Sequence, residues 1–278
     1  MFKNRNLVIA TKHKKESVIA PLFLAELKVS CFVPNDFDSD SLGTFTGEVE
    51  RNEDPLSTAR KKCLMAMEQT NCDLGIANEG SFGSHPTIFF ANADDEILIL
   101  IDKKNDLEII ARELSLETNF NSTEVHSFKE LKEFAKKIEF PSHAIILKGE
   151  EKGLSHFLKG IQSWEILEES YYILLQNNST IYAETDMRAL YNPTRLFVIE
   201  KATIKLIEKI KSVCPECQTP GFGLVSVQSG LPCSLCGCAT KSTKSHLYCC
   251  HKCNFEMEKM YPHTKKTEDP TYCDYCNP

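Results

Sequence analysis

Eight of the thirteen cysteines fall into four C-x2-C pairs within the last 65 residues: Cys214/Cys217, Cys233/Cys236, Cys250/Cys253 and Cys273/Cys276. The segments between the pairs are 15, 13 and 19 residues long. A C-x2-C turn lets two thiolates approach one ion from the same side, and Zn2+ takes four such donors at tetrahedral angles. Eight ligands make two closed four-cysteine sites, so residues 212–278 read as a zinc-ribbon module holding two structural Zn2+. Sulfur fills every position on each ion and leaves none for a catalytic water. In a module too small for a large core, metal binding supplies folding free energy, on the order of 10–16 kcal/mol per site.

A disulfide framework competes with this reading. Met1–Asn6 is polar and Leu7–Ala10 is too short for the apolar region of a signal peptide. Cys31, Cys63 and Cys72 are scattered without pairing logic, as in a reducing compartment. A cytoplasmic, metal-binding chain is expected. Sequential pairing would join the first knuckle to the second and the third to the fourth. Nested pairing would join Cys233/Cys236 to Cys250/Cys253, enclosed by Cys214/Cys217 with Cys273/Cys276. The nested form is favoured, because Pro232–Cys253 reads as one compact ribbon around a short hairpin. Cys238 and Cys249 are left over, and Cys249 could stand in for Cys250. His246, His251 and His263 read as exposed polar residues.

Residues 214–278 contain six Lys, no Arg and six Asp plus Glu. Such a balanced module lacks the basic surface that a phosphate backbone requires. Nucleic acid is therefore a disfavoured partner, while a protein partner or a homodimer contact stays open. No apolar run reaches the ~18 residues of a membrane span.

Residues 1–211 read as a mixed-sheet α/β domain. Asn6–Ala10 is a strand, Thr11–Glu16 a polar turn, Ser17–Leu27 a helix and Val29–Val33 a second strand. Ligands bind at the carboxyl ends of such strands, where helix N-termini point N–H groups at anions. Thr11, His13 and Lys15 lie there, with Lys12 and Lys14. Asp36–Asp54 is a long polar loop containing LGTFTGEVER. Pro55–Gln69 is a helix capped by Asp54, with Arg60, Lys61 and Lys62 as a basic patch. Cys72–Ala77 is a strand running into an expected site loop, Asn78–Pro86, with Glu79, Ser81 and His85. A hairpin is expected with strands 87–91 and 96–102. Residues 107–116 have strand or helix character, and Ser127–Ile138 is a helix with a capping box. His143 precedes the apolar run Ala144–Leu147, and Gly160–Leu175 reads as a helix. In Ile181–Arg195, Glu184, Asp186, Arg188, Asn192 and Arg195 crowd twelve residues. They make either a salt-bridged helix start or part of an anion and metal site. Leu196–Ile210 is the last helix.

Three stretches resemble the inosine-triphosphate pyrophosphatase and Maf superfamily. They are Ala10-Thr11-Lys12-His13-Lys14-Lys15-Glu16, Ala59-Arg60-Lys61-Lys62-Cys63 and Gly75-Ile76-Ala77-Asn78-Glu79-Gly80-Ser81. His13 stands where that signature has Asn, and Lys15 precedes its Lys position by one. The resemblance implies that Thr11 and Lys15 contact phosphate and that Glu79 holds Mg2+ or Mn2+. The full chain also resembles a bacterial domain-of-unknown-function family, number 6671, through LGTFTGEVER, EGSFGSHP, FPSHAIIL, ETDMRALYNPTR, PGFG, GLPC and the terminal CNP. That resemblance implies an architecture and one shared site.

The expected function is a metal-dependent phosphohydrolase acting on a nucleotide or other small phosphorylated ligand. Glu79, with Glu48 or Asp186, would bind the ion. Lys15, Arg188 and Arg195 would bind phosphate, beside Thr11, Arg60, Ser81 and Asn192. His13, His85 or His143 would move protons. A non-catalytic ligand-binding domain with an interacting zinc ribbon is the alternative.

Overall fold

The computed structural model describes residues 1–37, 53–151, 154–178 and 180–278. Most of the expected Asp36–Asp54 loop, with LGTFTGEVER and Glu48, lies outside the described residues. Two compact units, Met1–Leu206 and Ile207–Pro278, divide the chain. The division falls inside the last long helix, a few residues before the boundary read at 211/212. No described helix is long and apolar enough to cross a membrane.

The first unit opens with β1 (Asn6–Ala10), α1 (Glu16–Leu27) and β2 (Ser30–Phe32). Then come α2 (Pro55–Thr70), β3 (Leu74–Ser84), β4 (Asn92–Asp102) and β5 (Leu107–Ser115). These five strands form one sheet in the order β2-β1-β3-β4-β5. β1 runs parallel to both β2 and β3, and β3-β4-β5 is an antiparallel meander. Asp54 caps α2 by accepting from Leu56 N and Ser57 N, at 3.0 and 3.1 Å, with Pro55 at the first helical position. The buried face of α2 (Ala59, Cys63, Ala66, Met67) packs on Val8, Ala10, Ala77, Ile99 and Ile101.

Two expectations are corrected here. Asn78–Ser84 is strand, not a site loop: β3 pairs with β4 over eleven positions, from Leu74↔Asp102 to Ser84↔Asn92. Likewise Asn92–Asp95 is strand and no turn. The connection is 85–91, closed by His85 N donating to Ala91 O at 2.8 Å. Asp95 and Glu96 are tolerated inside β4 because a basic side chain meets each of them, on opposite faces of the sheet. Asp95, for one, takes a bidentate pair from Arg112 on β5, at 2.6 and 2.5 Å.

The rest of the first unit is a second sheet with its own core. β6 (Ser122–Val125), β7 (Ile145–Glu151), β8 (Leu154–Ile161) and β9 (Ile181–Thr185) pair antiparallel in the order β6-β9-β7-β8. α3 (Phe128–Lys137) and α4 (Trp164–Leu175) bury Leu131, Phe134, Leu167, Tyr171 and Leu174 against Ile145, Leu147 and Ala183. Ser127 caps α3 by accepting from Glu130 N at 3.2 Å, and Glu130 accepts in turn from His126 N at 2.9 Å. Gly160 and Ile161 belong to β8; the helix starts after Ser163, whose Oγ accepts from Ile166 N at 3.2 Å. The helix read from Gly160 is thereby corrected. Gly160 has φ +71° and lies against Tyr191, where an added Cβ would sit 2.9 Å from the ring. Ile181–Arg195 divides into β9, a 3-10 turn at Ala189–Tyr191 and the start of α5 (Pro193–Lys211).

The second unit is a three-stranded antiparallel sheet of β10 (Gly223–Ser229), β11 (Thr243–Cys249) and β12 (Glu256–Met260). Phe222, Tyr248 and Phe255 pack together beside Cys214 and Cys250.

Gly75 tests the fit of α2 on the first sheet. An alanine Cβ there would lie 2.6 Å from Met67 Cγ and 2.9 Å from Cys63 Sγ. Gly75→Ala is expected to destabilise the protein by roughly 1–3 kcal/mol through overpacking, read by urea denaturation.

Candidate functional site

The eight paired cysteines gather into two clusters. One holds Cys214, Cys217, Cys250 and Cys253; the other holds Cys233, Cys236, Cys273 and Cys276. In the first, Cys214 Sγ lies 3.7 Å from Cys253 Sγ, and Cys217 Sγ 3.6 Å from Cys250 Sγ. In the second, Cys233 lies 3.9 Å from Cys276, and Cys236 3.7 Å from Cys273. A tetrahedron of 2.3 Å metal–sulfur bonds has edges of about 3.8 Å, so each cluster is sized to hold one metal ion. Cys238, Cys249 and the three histidines belong to neither cluster.

The nested pairing is corrected: first joins third, and second joins fourth. The cause is the strand between knuckles. A seven-residue strand is about 20 Å long, so β10 carries the chain from the first knuckle to the far end of the sheet before the second. β11 brings it back, and the register Gly223↔Cys249 sets the third knuckle beside the first. β12 leads away again. At that end Cys233 bridges Glu268, and Glu268 N donates to Pro232 O at 2.8 Å, which brings the fourth knuckle to the second.

In the first unit, ionisable side chains converge where β1 ends. α1 follows β1 toward β2, and α2 leads from β2 back across to β3. Right-handed crossovers put these helices on opposite faces, which makes the carboxyl ends of β1 and β3 a topological switch point. β1 stops at Ala10, whereas β3 continues, and Lys15 fills the notch. Its Nζ donates to Asn78 O at 3.1 Å. On the α2 face Lys62 Nζ meets Glu79 Oε2 at 2.7 Å, with both side chains buried. On the other face Arg195 Nε donates to Glu96 Oε1 at 2.7 Å and its NH1 to Met187 O at 2.6 Å. Asn78 Nδ2 donates to Glu96 Oε2 at 2.8 Å. Asp94 lies two residues before Glu96 on the same face, fully buried. Gly80 makes room, since a Cβ there would be 2.5 Å from Arg195 NH2 and 2.6 Å from Glu96 Oε1.

Burial and the nearby Arg195 push the Lys15 amine down to about 7. Burial and the neighbouring Glu96 carboxylate push Asp94 up to about 9. Alongside, Thr11, Lys12, Lys14, Pro34 and Asp36 help to line an open pocket of about 470 Å³.

Lys15, Glu79 and Arg195 are thus brought together, with Thr11 beside them. Asn192 accepts from Arg195 N at 2.9 Å, and Asp186 holds Arg188 through its Oδ2 at 2.5 Å and Gly160 N at 3.1 Å. His143 is buried with Nε2 2.9 Å from Thr194 Oγ1, one residue from Arg195; burial lowers its pKa. His13 N donates to Thr11 Oγ1 at 3.3 Å. Elsewhere, Arg60 is directed to Glu108 on β5, at 2.5 and 2.9 Å. His85 Nδ1 accepts from Thr87 N and Ile88 N, at 3.2 and 3.1 Å, and so organises the β3–β4 turn. Ser81 is half-buried on the Glu79 face of β3.

Sequence reasoning missed Asp94, Glu96 and Asn78, and saw Lys62 only as part of a basic patch. A signal existed. Asp94 and Glu96 share strand parity with Leu98 and Leu100, so the period-2 pattern aims two carboxyls at an apolar face.

Glu79 does not fit a resident Mg2+ or Mn2+. Its carboxylate faces Lys62, and among the described residues only the two cysteine clusters bring three or more His, Cys, Asp or Glu ligands together.

These features define a mixed α/β domain followed by a ribbon with two four-cysteine clusters, each able to hold a metal ion. The chain belongs to the domain of unknown function family DUF6671, whose model matches residues 62–278. Residues 10–16, one of the three stretches compared above with the inosine-triphosphate pyrophosphatase and Maf superfamily, lie outside that match. Among solved structures, the chain is similar to protein VC0702 from Vibrio cholerae, with 10% identity and a TM-score of 0.32, over 73% of this chain and 93% of that one. A likeness of that size carries no argument about activity. No curated protein matches the chain.

Two measurements follow. Metal content should fall from two ions per chain to one in Cys217→Ser/Cys250→Ser, and to none in Cys217→Ser/Cys233→Ser; the nested pairing predicts loss of both ions in the first. Lys15 has a depressed folded pKa, so the folded state binds fewer protons than the unfolded between pH 7 and 10.5. Its penalty is full below pH 7 and fades as pH rises through that window. Lys15→Met should therefore gain most stability over the native protein near pH 6.5 and progressively less toward pH 10, by urea unfolding.

Proposed function

We propose that the first unit binds a small phosphorylated ligand at the carboxyl ends of β1 and β3 and hydrolyses a phosphoanhydride in it. A nucleotide is the favoured substrate. The observation that supports this most is the convergence of five remote segments, from both faces of the first sheet, around the end of β1. The β1–α1 turn, α2, β3, β4 and the start of α5 each contribute a buried ionisable group there. Burying six such groups is costly for stability, and strongly shifted pKa values at a switch point are characteristic of working sites.

In this reading Thr11, Lys12 and Lys14 receive the phosphates from the pocket side. Lys15, able to lose its proton near neutrality, responds to the arriving charge. Glu79, oriented by Lys62, takes the proton of the attacking water. Arg195 acts through position, since Glu96 and Met187 O already hold its guanidinium. Arg188 and Asn192 support the same corner. The likeness of residues 10–16 and 75–81 to the inosine-triphosphate pyrophosphatase and Maf signatures supports the substrate class.

In the second unit we take both ions to be Zn2+, held by four thiolates each and structural. A second reading applies to its surface. Leu224, Val225, Val227, Leu235, Tyr272 and Tyr275 are exposed, which favours a protein partner over nucleic acid.

The test is a screen of purified protein against nucleoside triphosphates with Mg2+ or Mn2+, following phosphate and pyrophosphate release. Glu79→Gln is expected to lower turnover at least a hundredfold, in keeping with the ~10²–10⁴-fold value of a general base. Turnover undiminished in that variant would remove Glu79 from the chemistry. No release from any nucleotide would leave ligand binding without catalysis as the function.

A further inference from the structure

The β3–β4 hairpin outruns the rest of its sheet. Beside β3, pairing with β1 stops at Ala77, opposite Ala10. Beside β4, pairing with β5 begins at Asp94, opposite Ser115. The hairpin itself runs on to Ser84↔Asn92 and then turns. The turn is held by its own hydrogen bonds. His85 N donates to Ala91 O at 2.8 Å and Ala91 N to Ile88 O at 3.0 Å, while His85 Nδ1 accepts from Thr87 N and Ile88 N. At its tip stand Phe89 and Phe90, 91% and 95% exposed, the most exposed large apolar side chains among the described residues. Single apolar residues at a surface are ordinary, but two adjacent phenylalanines held almost wholly in water are not. Their surroundings are also free of charge: residues 83–93 contain no Lys, Arg, Asp or Glu, in a chain of which 26% is charged.

We propose that Phe89 and Phe90 insert into the headgroup boundary of a zwitterionic phospholipid membrane and dock the first unit on it. The size of the patch decides the kind of partner. One aromatic side chain buries ~150–250 Å², so the pair offers roughly 300–500 Å². A stable protein interface takes about 800 Å² from each partner, and a second copy of the chain, meeting tip to tip, would supply no more than the first. A bilayer needs no matching surface. Its boundary accepts phenylalanine side chains wherever no charge has to be dehydrated with them, and the uncharged tip meets that condition. The net charge of −7 selects zwitterionic lipid, since an anionic surface would repel the chain. Docking of this kind requires no hydrolysis and no bound nucleotide.

The experiment is sedimentation of the zinc-loaded full chain with phosphatidylcholine vesicles. The protein is expected to pellet with the vesicles at millimolar lipid. Phe89→Ser/Phe90→Ser should bind about tenfold more weakly or worse, with an unchanged melting temperature, because both side chains are already in water. Phe90→Trp gives a second reading: beyond the emission of Trp164, its fluorescence should shift to the blue on adding vesicles and be quenched by brominated acyl chains. No sedimentation at millimolar phosphatidylcholine, or sedimentation undiminished in the double variant, overturns the proposal. Binding confined to phosphatidylserine vesicles and abolished by salt overturns it too, since charge and not the phenylalanines would then be in control. A dimer seen without lipid by analytical ultracentrifugation, and lost in the double variant, would give the tip to a second copy and overturn it as well.

Discussion

Arg195 and Glu96 stand 99 positions apart in the chain and meet at 2.7 Å inside the first unit. Taking two charges out of water costs several kcal/mol per ion, which their attraction repays only when every remaining donor and acceptor is also met. Here that condition recruits much of the neighbourhood. Glu96 takes a second hydrogen bond from Asn78, Arg195 gives one to Met187 O, and Asn192 holds Arg195 N. The pair thus ties α5 to the first sheet and, through Met187 and Asn192, to the chain leaving the second sheet. It also dictates a glycine at position 80, where any side chain would collide with both partners. Removing either charge would strand the other, at a cost of about 3–5 kcal/mol.

The second unit solves a different problem. Its main apolar cluster is Phe222 with Tyr248 and Phe255, a small core of the kind in which metal–thiolate bonds would offset chain entropy. The alternation of knuckles with antiparallel strands sets where those bonds form. Each strand carries the chain from one end of the sheet to the other, and knuckles separated by two strands meet in one four-cysteine cluster. Crossed pairing is a consequence of sheet geometry, and the lengths of the gaps do not encode it.

Much of the fold was legible because short-range rules govern it. The N-caps Asp54, Ser127 and Ser163 satisfy helix N–H groups within three residues; two of them, Asp54 and Ser127, were read correctly from their surroundings. β1 followed from its apolar run, whereas residues 107–116, open to strand or helix, became β5 through pairing with β4. Asn78–Ser84 was misread because Glu, Gly and Ser carry loop character locally, whereas eleven pairs with β4 hold them extended. Glu79, Lys15 and Arg195 were legible as candidates from residue type and place. Arg60 and His85 were singled out with them and lie apart, one bound to Glu108 and the other inside a turn. Residue type says what a side chain can do, while the partner that occupies it is set at long range.

The amino-acid sequence by itself determined that this protein has an α/β domain and a ribbon with eight thiolate ligands, because apolar periodicity and C-x2-C spacing act over a few residues. It also singled out Thr11, Glu79 and Asp186 as candidate site residues. Only the tertiary structure decided which cysteines gather into one cluster and which face of the sheet each carboxylate occupies. Those outcomes depend on strand register and on contacts between residues tens of positions apart, and no local pattern records them.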